Sequence, residues 1–143
     1  MIRYIYNVGE YNLDREKVIT NVINICKQHL SLPDDIEVEF AYLSESVYAQ
    51  TIVTHKFKNR LQVNNSLSAK EVIKPIIHEL IHLEQMHTGK LYSNGRGICV
   101  YEGIRYNITQ DIPNYTDYVK YPWELDAMSR EPKMLKIVLE NMG

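Results

Sequence analysis

The sequence predicts an α+β fold in which a small, mostly antiparallel sheet carries an N-terminal helix, a central helix and a C-terminal helical segment. Apolar residues recur at helical spacing in three separate segments of the chain. Between these segments lie short alternating or β-branched stretches with Gly and Asn turn signals, which are typical of strands and hairpins. A chain of 143 residues can build one core of its own, so we expect residues 1–143 to form a single domain.

The first predicted helix carries an apolar stripe at spacings of three and four residues. The stripe comprises Val18, Ile19, Val22, Ile23, Cys26 and Leu30. Asp14 is a suitable N-cap for this helix, and Pro33 is expected to end it. In the strand that follows, Ile36, Val38 and Phe40 alternate with more polar neighbours. We therefore expect that strand to have one buried face and one wet face.

Two β-hairpins are predicted in the middle of the chain. The first joins residues 51–57 to residues 60–63 through a tight turn at Lys58-Asn59. The second turns at Glu102-Gly103, with a short apolar and β-branched segment on either side. A long helix is expected between the two hairpins.

That central helix has its own start and stop signals. Ser68 to Glu71 have the form of a capping box, in which the Ser hydroxyl and the Glu carboxylate satisfy opposite backbone donors. Gly89 is a suitable stop. Pro75 lacks a backbone donor, so either the helix bends there or a short first turn ends and Pro75 takes the first position of the main helix.

The segment from Pro122 onward is also predicted to be helical. Pro132 is expected to divide it into two pieces, because an interior proline removes one hydrogen bond. Three apolar residues of its second half are expected to pack inward: Leu135, Val138 and Leu139. Residues 110–121, which are rich in Asp, Pro, Asn and Tyr, are predicted to form a loop.

Composition argues against several classes of partner. The formal net charge is −2, with Lys and Arg scattered along the chain, so we expect no nucleic-acid binding. No apolar run approaches the roughly 18 residues of a spanning helix, and the first residues lack a signal-peptide layout. We expect a cytoplasmic protein, in the host cytoplasm if a phage encodes it, and no membrane partner.

Cys26 and Cys99 lack paired spacing and are expected to be reduced core residues. The sequence predicts no particular oligomeric state.

The central helix carries the motif His78-Glu79-Leu80-Ile81-His82. Residues four apart on a helix are separated by about 40° around the axis and about 6 Å along it. His78 and His82 therefore present their imidazoles side by side, as two ligands of one tetrahedral zinc ion must. The pattern predicts one Zn²⁺ per chain, with Glu79 as the general base that acts on a water. The alternative is a pair of solvent-facing or hydrogen-bonded helix histidines.

A catalytic zinc requires a third protein ligand while one position stays open for water. Glu124, one turn into the C-terminal helix, is the best-placed candidate. Asp126 is an alternative, and the helix dipole favours either carboxylate there even without a metal. The other three histidines are not expected to be ligands: His29, His55 and His87.

Residues 78–82, followed by Glu124-x-x-Ala127, resemble the arrangement of the gluzincins, zincin metallopeptidases in which a glutamate of a second helix is the third zinc ligand. With Gln85 after the motif and Tyr-x-Pro-Trp-Glu-like residues at 121–124, the chain is similar to small zinc peptidases of bacteriophage and bacterial genomes. The resemblance covers mainly residues 68–130. It implies a minimal zincin-like domain with the ligands His78, His82 and Glu124 and the base Glu79.

Two departures from the gluzincin pattern stand out. Several gluzincins have an aspartate four residues after the ligand glutamate that orients a histidine, whereas this chain has Met128 there. Either Asp126 replaces that aspartate or it is itself the ligand. Glu124 also follows His82 by 42 positions, a wide spacing that leaves room for the second hairpin.

If the ligands are these, we expect hydrolysis of a peptide or protein substrate. The developing oxyanion requires a donor besides zinc, for which Tyr121 is the first candidate and Tyr118 and Tyr106 are alternatives. Peptide substrates of zincins add to a strand edge, which the segment 60–64 resembles here. The competing interpretation is a non-catalytic zinc-binding or protein-interaction module with the same fold. A DNA-associated repair protease is disfavoured by the acidic charge balance.

Overall fold

The computed structural model describes residues 1–52, 59–108 and 120–142. Within these ranges the chain forms an α+β fold, as the sequence predicts. The strands are β1 (Ile2–Tyr6), β2 (Ile36–Ala41), β3 (Ala49–Ile52), β4 (Arg60–Asn64), β5 (Leu91–Ser93), β6 (Ile98–Tyr101) and β7 (Ile104–Asn107). The helices are α1 (Leu13–Lys27), α2 (Ile73–His87) and α3 (Pro122–Asn141). In this part of the chain no helix combines the length and apolar character needed to cross a membrane.

The described strands form two sheets. The larger has the order β1-β2-β4-β3, in which β1 and β4 pair parallel to β2 while β3 pairs antiparallel to β4. The smaller sheet, β5-β6-β7, is antiparallel throughout. Most of these pairings are antiparallel, but the larger sheet is mixed because α1 carries the chain across from β1 to β2. Strand β1 is not among the elements predicted above.

Helix α1 begins behind a different cap from the expected one. The side chain of Asn12 accepts a hydrogen bond from the backbone N–H of Arg15 at 3.0 Å, so Asn12 is the N-cap and the prediction of Asp14 is wrong. Asp14 lies in the first turn, where its charge is favourable to the helix dipole. The helix ends at Lys27, well before Pro33, so Pro33 is not its terminator.

The start of α2 confirms the predicted capping box. The backbone N–H of Ser68 donates to Oε1 of Glu71 at 3.0 Å, and the N–H of Glu71 donates to Oγ of Ser68 at 3.2 Å. This closes a first turn that leads into the helix at Ile73. Pro75 lies in the first turn of α2, where its missing N–H costs no intrahelical hydrogen bond.

Both glycine turn signals form as predicted. Gly89, with φ +80°, follows the last residues of α2. Glu102 and Gly103, with φ +50° and +83°, make the tight turn between β6 and β7. Strands β3 and β4 pair antiparallel, as the first hairpin requires. Residues 53–58, which include Lys58, lie outside the described residues.

The C-terminal helix is continuous, so the prediction that Pro132 divides it is wrong. An interior proline bends a helix without ending it when packing holds both halves. Of the residues expected to pack inward, Val138 is buried and Leu135 is partly buried, whereas Leu139 is 55% exposed. Leu139 is turned outward because it lies about 100° around the helix from its neighbour Val138.

The main core lies where the larger sheet meets the three helices. Its fully buried members include Ile19 and Ile23 of α1, Val38 and Phe40 of β2, Leu61 and Val63 of β4, Ile76, Ile77, Leu80 and Ile81 of α2, and Ala127 and Val138 of α3. Cys26 is buried in this core, and Cys99 is buried in a smaller cluster beside β5 and β6. Both cysteines are unpaired, as predicted.

The other face of β2 is polar, as predicted, but it is largely covered. Arg60 of β4 lies 3.1 Å from Glu37 and 3.5 Å from Glu39, and Glu39 is buried. Buried charges require such partners, since an unpaired charge away from water is costly. This face is therefore a network of ion pairs.

Candidate metal centre

Helix α2 places the two motif histidines one turn apart and facing each other. Nε2 of His78 lies 3.1 Å from Nε2 of His82, and the ring centroids are 4.8 Å apart. Between them in sequence, Leu80 and Ile81 are fully buried in the main core and hold this helix face in place. His82 is only 6% exposed, while His78 is half-buried. The local arrangement is the one that the spacing predicts.

Glu124, from the first turn of α3, reaches both imidazoles. Its Oε1 lies 2.7 Å from Nε2 of His82, and its Oε2 lies 3.1 Å from Nε2 of His78. The carboxylate is buried, with Glu124 2% exposed. A tetrahedral zinc ion with bonds of about 2.0–2.1 Å holds its ligand atoms about 3.3 Å apart. The observed separations, of which the two to Glu124 involve different carboxylate oxygens, are close to this spacing.

An aromatic cluster fixes the position of Glu124. Tyr121 is the N-cap of α3 with an extended backbone, and Pro122 takes the first helical turn. The buried Trp123 stacks on Tyr121 with ring centroids 4.8 Å apart and meets Tyr106 edge-on at 5.4 Å. Since Trp123 directly precedes Glu124, this packing sets where the carboxylate enters the site.

The candidate oxyanion donors have different placements. The ring of Tyr121 lies against Trp123, and Tyr106 belongs to the same aromatic cluster. Tyr118 lies outside the described residues. The role of Tyr121 stays a prediction.

Glu79 is held beside the histidines by the larger sheet. Its Oε1 accepts a hydrogen bond from Oγ1 of Thr51 on β3 at 2.9 Å. One ligand atom from each of His78, Glu79 and His82 lies within 4.8 Å of the others. The sequence does not predict the contact with Thr51, because it joins a strand and a helix 28 positions apart.

Burial and neighbouring charges shift the pKa values in the cluster. Burial raises the pKa of Glu79, and the nearby His82 and His78 offset this only in part. Burial lowers the pKa of His82, but the hydrogen bond to Glu124 and the charge of Glu79 outweigh it and raise the pKa to about 9. The same balance raises the pKa of His78. The two carboxylates thus make a small, buried space favourable for positive charge. A divalent cation bound there would supply that charge.

Behind His82 lies a residue that the sequence does not predict to have a role in the site. Oε1 of Gln85 lies 2.8 Å from Nδ1 of His82, and Nε2 of Gln85 donates to the carbonyl of Trp123 at 3.0 Å and to Oδ2 of Asp126 at 2.8 Å. The structure thus brings Glu124 to the imidazoles and places Asp126 behind Gln85. Of the two carboxylates considered, Glu124 is the one that lies within 3.1 Å of both imidazoles.

His78 also has a carboxylate behind it. Oε1 of Glu131, two turns after Glu124 on α3, lies 3.9 Å from Nδ1 of His78. Met128, at the position where several gluzincins have an aspartate, is exposed. The carboxylate behind His78 is therefore that of Glu131, which lies about one helical turn after Met128 on α3.

The strand expected to bind substrate lies inside the sheet. β4 is paired on both sides, with β2 and β3, so the prediction that a peptide adds along residues 60–64 is wrong. β3 is the outer strand on that side, and it carries Thr51 next to Glu79. Of the remaining histidines, His29 and His87 are exposed, and His55 lies outside the described residues.

No protein-family model, curated protein or solved structure matches this chain. The site is therefore characterised by its own geometry, namely two imidazole nitrogens and a buried carboxylate that converge beside a second carboxylate.

Proposed function

We propose that this protein is a zinc-dependent metallopeptidase whose metal ligands are His78, His82 and Glu124. The observation that carries the proposal is the convergence of two Nε2 atoms and one carboxylate, at separations of 2.7–3.1 Å, between α2 and α3. Two histidines and a glutamate form a donor set of catalytic zinc sites, which keep a fourth position for water. A zinc ion held there would supply Lewis acidity to a water and to a substrate carbonyl.

Glu79 is proposed as the general base. Its carboxylate lies beside the histidine pair and is oriented by Thr51. Burial raises the pKa of Glu79 above the ordinary glutamate value, which makes its carboxylate a stronger proton acceptor. Glu79 would take a proton from the attacking water and pass it to the leaving amine.

The substrate is proposed to be a peptide lying along β3. Within the described ranges, β3 is one of the two edge strands of the larger sheet and pairs with β4 alone. An extended peptide can add to such an edge through main-chain hydrogen bonds. Because Thr51 of this strand contacts Glu79, a peptide on this edge would pass close to the base.

Replacement of the base separates metal binding from catalysis. We expect Glu79→Gln to lower peptide cleavage by about 10²–10⁴-fold while one zinc per chain is retained. The measurement is zinc content together with cleavage of a broad peptide library by both forms. Glu140→Gln, which replaces an exposed glutamate near the end of α3, is the matched control and should leave both unchanged. Zinc-loaded wild-type protein that cleaves no peptide, or a Glu79→Gln variant that cleaves at the wild-type rate, would contradict the proposal.

A non-catalytic zinc module is the second candidate, and the nearness of Glu79 favours it. Because the ligand atoms of Glu79 and both histidines lie within 4.8 Å of one another, Glu79 could complete the coordination shell and leave no open position. X-ray absorption spectroscopy of the zinc-loaded protein distinguishes the two. Three protein ligands with a water indicate the peptidase, and four protein ligands indicate the closed module.

A further inference from the structure

The contacts of Gln85 have a fixed polarity. Its side-chain nitrogen faces two groups that can only accept hydrogen bonds, the carbonyl of Trp123 at 3.0 Å and Oδ2 of Asp126 at 2.8 Å. The amide therefore cannot be reversed, because its oxygen would then face both acceptors, the carbonyl of Trp123 and Oδ2 of Asp126. Its Oε1 is left to face Nδ1 of His82 at 2.8 Å.

This polarity requires a proton on Nδ1 of His82, whether the ring is neutral or positively charged. Since Oε1 of Gln85 only accepts, the favourable arrangement has Nδ1 of His82 donating to it. Nε2, on the opposite side of the ring, is then the nitrogen available to a metal. It is also the nitrogen that faces Glu124 and His78.

The groups behind Gln85 are themselves held in place. Gln85 is 1% exposed, so water does not compete for its amide. Asp126 lies 3.7 Å from Nε of Arg130, one turn further along α3. Two guanidinium nitrogens of Arg130 donate to Oε1 of Glu84 on α2, at 2.6 and 2.7 Å. The amide is thus the buried end of a partly exposed network that joins α2 to α3.

We propose that Gln85, held by Asp126 and the carbonyl of Trp123, is a positioning residue that keeps a proton on Nδ1 of His82 and presents Nε2 to the metal. The proposal rests on the zinc site proposed above. Partners of this kind orient a ligand histidine, and their loss typically lowers metal affinity by about 10–100-fold. The structure also accounts for an amide at this position, since a glutamate would set its carboxylate against that of Asp126.

The first test uses wild-type protein without metal. In ¹⁵N-histidine-labelled protein at neutral pH, we expect the Nδ1–H proton of His82 to exchange slowly with water and to give a resolved NMR signal. In Gln85→Leu this proton should exchange rapidly. A wild-type Nδ1–H that exchanges as fast as those of the exposed histidines would overturn the proposal, even if the variant failed to fold.

The second test measures zinc affinity by competition with a chelator. Gln85→Leu should bind zinc about 10–100-fold more weakly than wild type. Asp126→Asn should retain most of the wild-type affinity, because the amide oxygen of Asn still accepts from Nε2 of Gln85 and Oε1 of Gln85 still accepts from His82. Gln62→Leu is the control, since Gln62 also donates to a carboxylate, that of Glu39, but on the sheet face away from the helices.

Two outcomes would contradict the role of Gln85: unchanged zinc affinity in Gln85→Leu, or an Asp126→Asn variant that binds as weakly as Gln85→Leu. Wild-type protein that binds no zinc would instead remove the proposed function. The exchange of the His82 proton would still decide whether Gln85 positions the ring.

Discussion

The two proposed ligand histidines differ in how firmly they are held. His82 is buried and is contacted on both nitrogens, by Gln85 at 2.8 Å and by Glu124 at 2.7 Å. The side chain of His78 is more exposed, and the carboxylate of Glu131 behind it lies 3.9 Å away. We infer that His82 anchors the site and that His78 lies on the side from which solvent and substrate enter.

At the same scale, Glu37 is predicted to make stability depend on pH. Burial acts to raise the pKa of Glu37, but hydrogen bonds from Arg3 and Arg60 outweigh it and lower the pKa. A lowered folded pKa stabilises the protein above the unfolded value of about 4.3, and the effect is lost as pH falls through the folded pKa. Glu37→Gln should therefore cost at most about 1 kcal/mol at neutral pH and less near pH 3.

Urea unfolding of metal-free protein at both pH values measures this effect. Glu45→Gln, which replaces an exposed glutamate, serves as the control. A destabilisation by Glu37→Gln that is equal at both pH values would contradict the assignment.

Whether the contacts of a single residue can be predicted depends on whether its partners lie close to it in the sequence. The relation between His78 and His82 follows from helix geometry alone, so the motif predicts it. The contacts of Gln85 with Asp126 and of Glu79 with Thr51 join segments 41 and 28 positions apart. They depend on how α3 and β3 pack against α2, which no local pattern contains. Glu124 could be predicted as a candidate because its position in the first turn of a helix and the resemblance both pointed to it.

At the scale of elements, caps and turns with strict chemical requirements were predictable. The capping box before α2 and the turn at Gly103 form as expected. Where two suitable residues lie close together the pattern cannot choose, and Asn12 caps α1 although Asp14 is of the same capping type. Helix α3 shows the opposite case, since its packing overrides the local effect of Pro132.

Helix α3 provides a prediction of its own. Pro132 is exposed and lies inside the helix, so it removes one backbone hydrogen bond without packing in the core. Pro132→Ala should raise the free energy of unfolding by about 1–3 kcal/mol, because it restores a donor and a good helix former. Chemical unfolding in excess chelator measures the change. Lys133→Ala, at the next exposed position, should lie within about 0.5 kcal/mol of wild type. A Pro132→Ala variant no more stable than this control would contradict the argument.

At the scale of the whole molecule, the site lies where two packed regions meet. Helix α2 belongs to the main core, while α3 starts in the aromatic cluster around Trp123 and then joins that core. The α+β class was predictable because it follows from the kinds and order of elements. The mixed order β1-β2-β4-β3 was not, since strand order is set by long-range pairing. The prediction that a peptide adds along residues 60–64 is wrong for this reason, because β4 lies inside the sheet.

One zinc ion is proposed to bind between α2 and α3. Anomalous X-ray diffraction at the zinc absorption edge, from crystals of zinc-loaded protein, tests this directly. We predict one peak per chain, about 2.0–2.2 Å from Nε2 of His78, Nε2 of His82 and a carboxylate oxygen of Glu124. A crystal with no zinc peak there, or with the ion bound to Asp126 in place of Glu124, would contradict it.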